Sequence, residues 1–151
     1  MFAYVVVDTS SALTDITLAA VDSSDILVLI TTQDIPSLKN ARLFLDLSDA
    51  LGIERSRILF TMNRFDKRLG ITPEKVSENF KHPIVAVIPL DERVVVPSVN
   101  RGLPFMLGDK SKPIARSILS LTESIRQRIT EVGTRSETGG GGRSKAGGGR
   151  K

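Results

Sequence analysis

Four short apolar runs, each rich in β-branched residues and each ending in polar ones, set the rhythm of this 151-residue chain. They are FAYVVVD (residues 2–8), ILVLITT (26–32), RILFTMNR (57–64) and IVAVIPLD (84–91). Their hydrophobicity is continuous rather than alternating, the mark of strands covered on both faces, as in parallel sheets. Stretches of helical spacing separate them. A short helix is expected from about Asp15 to Val21, ended by Asp22, Ser23, Ser24 and Asp25. Pro36 opens a second, whose apolar stripe runs through Leu38, Ala41, Leu45 and Leu51 before Gly52 stops it. Thr72, Pro73 and Glu74 read as an N-cap and first turn leading to about Phe80. A short helix or loop follows over residues 92–100. The last helix, from about Pro113 to Glu131, carries Ile114, Ile118, Leu121, Ile125 and Ile129 on one face. Strand, helix, strand in this order predicts an α/β fold with a parallel sheet.

In open α/β sheets ligands bind beyond the carboxyl ends of the strands. Asp8, Asn63 and Asp91 stand at those ends in three of the four runs and are the first candidates for a site.

Composition narrows the chemistry. With no cysteine there is neither a disulfide framework nor a thiolate metal site. The single histidine, His82, makes a His-rich metal centre or a Ser-His-Asp triad a poor expectation, and its place beside Pro83 suggests a surface loop. No run of eighteen apolar residues suggests a membrane span, and no signal-peptide pattern opens the chain. The net charge of +4 lies entirely near the C-terminus. Residues 1–132 hold 16 basic and 16 acidic side chains, whereas residues 133–151 hold five basic and one acidic. That last segment, with GGGGRSKAGGGRK at its end, has too little apolar surface to offset its ordering entropy and is expected to be a disordered Gly/Arg/Lys-rich tail. It supports weak, salt-dependent contact with nucleic acid, whereas the neutral fold offers no dedicated surface for it.

The ordered set YVVVDTSS (residues 4–11), SDILVLITTQDIPSLKNARLFLDL (24–47), ILFTMNRFD (58–66) and VIPLDERVVVPSVNRGLP (87–104) resembles the C-terminal portion of MinD/ParA-type P-loop ATPases. The likeness is nearest to the CpaE/TadZ-like branch linked to pilus assembly, and it covers residues 3 to about 130. It implies a three-layer P-loop NTPase-like (SIMIBI) parallel sheet. In that family's arrangement Asp8 matches the Walker B aspartate, which holds magnesium through water. Thr9, Ser10 and Ser11 occupy the switch segment that follows, where many relatives carry proline and glycine; the departure puts phosphate sensing in doubt. Asn63 matches the asparagine that bonds the adenine edge, Arg64 packs over the base, and Pro89, Leu90 and Asp91 form the loop that closes over it. ATP and magnesium are the implied cofactors. A nucleotide-bridged homodimer, pilus assembly proteins as partners and a cytoplasmic location are implied likewise.

A phosphate-binding loop of the form G-x-x-x-x-G-K-[ST] is missing from the sequence, and so is any Gly-Lys-Ser/Thr triplet. The expectation is therefore an incomplete sheet that lacks the P-loop strand, in a fragment without turnover of its own. Residues 2–8 should then either stand apart from residues 26–32 across a gap or slide over to pair with them.

Overall fold

A computed structural model describes the backbone of residues 2–138 and the side chains of residues 2–132. Three strands, β1 (Leu27–Thr31), β2 (Ile58–Phe65) and β3 (Ile84–Pro89), form one sheet in the order β1-β2-β3. Both pairings are parallel, with Leu27 opposite Ile58 and Thr61 opposite Ala86. The helices are α1 (Asp15–Ser23), α2 (Ile35–Ala50), α3 (Pro73–Phe80), α4 (Glu92–Arg101) and α5 (Pro113–Thr138).

Local signals set the helix ends. Thr14, Asp34, Thr72 and Asp91 are the N-caps of α1 to α4, and each side chain accepts a hydrogen bond from a first-turn amide. Proline occupies the first turn of α2 and of α3, where a missing N–H costs nothing. Past α2, Gly52 takes the left-handed conformation, φ 72°. The expected helix or loop after β3 is a helix that tolerates Pro97 in its interior.

The core sits around β2. Phe60 and Met62 pack with Leu38 and Ala41 of α2 and Val76 of α3. Phe80 stacks on Phe60 with ring centroids 5.5 Å apart. On the opposite face of the strand Leu59 and Thr61 are buried as completely, while α5 packs against β3. Among the described residues the Thr61 hydroxyl finds no hydrogen-bond partner, so this face carries a desolvation penalty. Arg57 ties α1 in by donating to the Ser24, Asp25 and Val21 carbonyls.

Three expectations need correction. Residues 2–8 do not form a strand: Val5, Val6 and Val7 are 79%, 93% and 59% exposed, and the run neither pairs with β1 nor joins the sheet. A β-branched run supplies propensity, but a strand also needs an edge to pair with and a layer to cover it. His82 is buried rather than a surface loop residue; its Nε2 bonds the Ile58 carbonyl at 3.0 Å and its ring lies 6.2 Å from that of Phe60. Its place at the entry to β3, beside the start of β2, carries the ring inward. The last helix does not end near Glu131 but continues to Thr138, so the expected tail boundary at residue 133 falls inside it. Extending a formed helix is favourable, and one internal glycine costs it only about 1 kcal/mol. Residues 139–151, the greater part of that tail, lie outside the described residues.

Candidate functional site

At the carboxyl ends of the three strands lies an open cleft of about 300 Å³ lined by Thr32, Gln33, Asp34, Arg64, Asp66, Leu69 and Leu90. This is the position where such sheets bind ligands.

Its first wall is the turn from β1 into α2. Asp34 accepts from the Ser37 amide at 2.8 Å and from the Thr32 hydroxyl. The Ser37 hydroxyl in turn accepts from the Thr32 amide at 3.0 Å. The Thr32 hydroxyl and then the Ser37 amide hold the Asp34 carboxyl below its usual pKa, so it is an anion at neutral pH.

The second wall comes from the end of β2. Between Met62 and Phe65 the register with β3 slips, because three steps along β2 match two from Val87 to Pro89. The extra residue is a β-bulge at Asn63 and Arg64, a device that re-aims side chains at strand ends. Arg64 adopts φ 55°, rare for a residue with a Cβ, and its amide donates to Asn63 Oδ1 at 2.9 Å. This turn brings Arg64 into the cleft lining, with its guanidinium 3.9 Å from Glu92 Oε1.

The third wall is the loop after β2. Asp66 accepts from the Arg68 amide at 3.0 Å and from its guanidinium at 2.5 Å. The Arg68 guanidinium, then its amide, lowers the Asp66 pKa to about 2. The Leu69 amide closes the turn on the Asp66 carbonyl at 3.1 Å. Leu90 adds an apolar wall, fixed by its amide bonding the Phe65 carbonyl at 2.9 Å.

Of the residues singled out in the sequence, Arg64 and Leu90 line this cleft. Asn63 sits on the bulge with its side-chain oxygen already engaged by the Arg64 amide. Pro89 ends β3 opposite Phe65, and Asp91 caps α4 by accepting from the Val94 amide at 3.2 Å. These positions share one rim. Asp8, Thr9, Ser10 and Ser11 do not line the cleft; all four are exposed in the segment before α1. Among the described residues no group of three or more His, Cys, Asp or Glu is placed to hold a metal. Asp8 offers one exposed carboxylate, which suits a hydrated magnesium already carried by a phosphate rather than an all-protein cage. Sequence reasoning missed Thr32, Gln33, Asp34, Asp66 and Leu69. Gln33 was visible in principle, as a long polar side chain at a strand's carboxyl end.

No protein-family model matches the chain. A septum site-determining protein MinD from Thermotoga maritima is 25% identical over 130 residues, which are 83% of this chain and 47% of that protein. The MinC:MinD cell division complex of Aquifex aeolicus superimposes with a TM-score of 0.67 at 20% identity, over 76% of this chain and 48% of that one. A ParA family ATPase from Chlorobium tepidum gives 0.64 at 24% identity, over 73% and 47%. MinD of Pyrococcus horikoshii, solved with Mg-ADP, gives 0.63 at 25% identity, over 76% and 46%. The fold is thus that of the MinD/ParA P-loop NTPases, and sequence relatives support the same family. The chain spans about half the length of the T. maritima relative and of the solved structures it matches.

Proposed function

We propose that this chain is the nucleoside-binding portion of a MinD/ParA-type ATPase, of the CpaE-like branch that serves pilus assembly or polar localisation in the cytoplasm. The observation that carries the reading is the cleft at the strand ends. Leu69 and Leu90 offer apolar walls suited to the faces of a base, and Arg64 is turned in by the bulge. Its carboxylates, Asp34 and Asp66, favour donors such as ribose hydroxyls and an exocyclic amine, and with Arg64 and Arg68 beside them the cleft carries no net positive charge to hold phosphate. The cleft therefore takes the base end of ATP. The phosphates and their magnesium belong to a P-loop unit elsewhere in the full-length protein, with Asp8 as the water-mediated magnesium residue and Thr9, Ser10 and Ser11 as the switch.

The open outer edge of β1 and the exposed valines of residues 2–8 support this division, since both call for a further strand. The full-length ATPase dimerises through bound nucleotide and engages pilus assembly proteins. This chain alone hydrolyses nothing.

The test is competition against a fluorescent ATP analogue bound to the 151-residue chain. Adenosine, ADP and ATP should displace it with affinities within about threefold, because each phosphate adds little without a cradle. A preference for ATP over adenosine of about a hundredfold, or no displacement by adenosine at millimolar concentration, sinks the reading. The exposed Thr-Ser-Ser segment favours a second reading, a noncatalytic localisation module with the same fold. Absence of hydrolysis from the full-length protein with an intact phosphate loop would select it. A ParA-like DNA-partitioning role is the third, and DNA binding that survives removal of residues 133–151 would revive it.

A further inference from the structure

Gln33 lies in the turn after β1, one residue beyond Thr32, and is buried, yet it is not part of any helix or strand. Its amide reaches across to the loop after β2 and grips both ends of it. Nε2 donates to the Ile71 carbonyl at 2.7 Å, and Oε1 accepts from the Asp66 amide at 2.6 Å. Between those two points lies Leu69, the apolar wall of the cleft. One side chain thus fixes where the loop starts and where it ends, and it does so from the turn between β1 and α2. Only a group that both donates and accepts at this reach can do this, which is why an amide stands here.

We propose that Gln33 is the positioning residue of the nucleoside cleft: by holding residues 66–71 at both ends it sets the position of the Leu69 wall against which the base packs. The proposal rests on the nucleoside reading of the cleft. Gln33 acts through the loop and need not touch the ligand. Without the clamp the loop loses its tie to the β1–α2 turn while the Asp66–Arg68 pairing, internal to the loop, persists.

The charged groups of the cleft and of the clamped loop are Asp34, Arg64, Asp66, Lys67 and Arg68. Both aspartates titrate below their ordinary range and His82 is common to all the variants, so a pH response between 5 and 7 present in Gln33→Glu and absent from the wild type belongs to the introduced carboxyl, which burial at this position raises toward that window. When ionised, that carboxyl cannot donate to the Ile71 carbonyl; when protonated, it can.

The experiment uses the full 151-residue chain as wild type, Gln33→Met and Gln33→Glu. Two quantities are read: hydrogen exchange at the Asp66 amide, and the affinity of methylanthraniloyl-ATP between pH 5 and pH 7. In Gln33→Met the Asp66 amide should lose protection while Leu59 and Phe60 keep theirs, and the probe should bind about tenfold more weakly at every pH. Gln33→Glu should match that loss at pH 7 and recover toward wild type at pH 5. Unchanged Asp66 protection in Gln33→Met overturns the clamp. Lost protection with unchanged probe affinity overturns the positioning role, as does a Gln33→Glu variant without acid recovery. Failure of the wild type itself to bind the probe, with Asp66 protected only when Gln33 is present, sinks the nucleoside reading and leaves the clamp standing.

Discussion

Two apolar runs of this chain meet opposite fates. Residues 58–62 form the most buried part of the molecule, with Phe60 and Met62 wholly inside. Residues 5–7 are as apolar and more β-branched, yet they lie exposed and unpaired. The difference is in their neighbours. β2 has β1 on one edge, β3 on the other, and buried side chains on both faces. β1 shows the intermediate case: Leu29 packs toward α2 and α3, but Val28 and Ile30 on its other face are exposed. Strand formation here follows from pairing and coverage, with β propensity only a precondition.

The contrast can be broken most forcefully at its extremes. Phe60→Ala removes a fully buried ring stacked on Phe80 and should cost about 3–5 kcal/mol, enough to unfold much of the population. Val6→Ala should change stability by no more than about 0.5 kcal/mol in the same denaturant titration. Equal costs would mean that residues 2–8 are buried in solution.

A second test follows pH. Burial pushes the His82 pKa down, against the bond its ring donates to the Ile58 carbonyl, which raises it. The unfolded chain therefore takes up a proton at higher pH than the folded one, and stability present above about pH 6.5 is lost as the pH falls below it. His82→Gln should flatten that limb. The Asp66 carboxyl, depressed to about 2, adds a separate and lower limb between its ordinary 3.8 and about 2. Melting the two proteins across pH 4.5–8 separates them; an unchanged slope in the variant would show that His82 does not set it.

Thr61→Val probes the buried side from the other direction. Removing a hydroxyl that has no partner among the described residues, at nearly constant volume, should stabilise the protein by about 1 kcal/mol. A loss of stability would reveal a hydrogen bond, to water for instance, that the contacts do not include. The mildest change concerns the uncovered face of β1. Ile30→Lys should leave the denaturation midpoint almost unmoved while lowering self-association in sedimentation, because a charge on an edge strand blocks edge-to-edge pairing.

Much of this architecture was legible in the sequence. Pro36, Thr72 and Pro73 announced α2 and α3 because caps and prolines act through local geometry. Residues 26–32, 57–64 and 84–91 announced the three strands for the same reason that residues 2–8 misled: apolar runs report what can be buried, while the partner that buries them is a matter of the whole sheet. The site was less visible. Arg64 and Leu90 could be placed at strand ends by position alone. Gln33 and Asp66 are 33 residues apart in sequence, and their bond exists only once β1 and β2 lie side by side. His82 went the same way, since nothing local says that its ring turns toward Phe60.

The bulge at Asn63 and Arg64 also sets the phase of β2. Strict alternation would send Phe65 to the face opposite Phe60 and Met62, yet Phe65 packs in the same cluster as both. One added residue resets the parity of the strand just before it ends. A single-residue deletion at this point would therefore behave like a frameshift in three dimensions, leaving the strand intact and delivering its last aromatic ring to the wrong side.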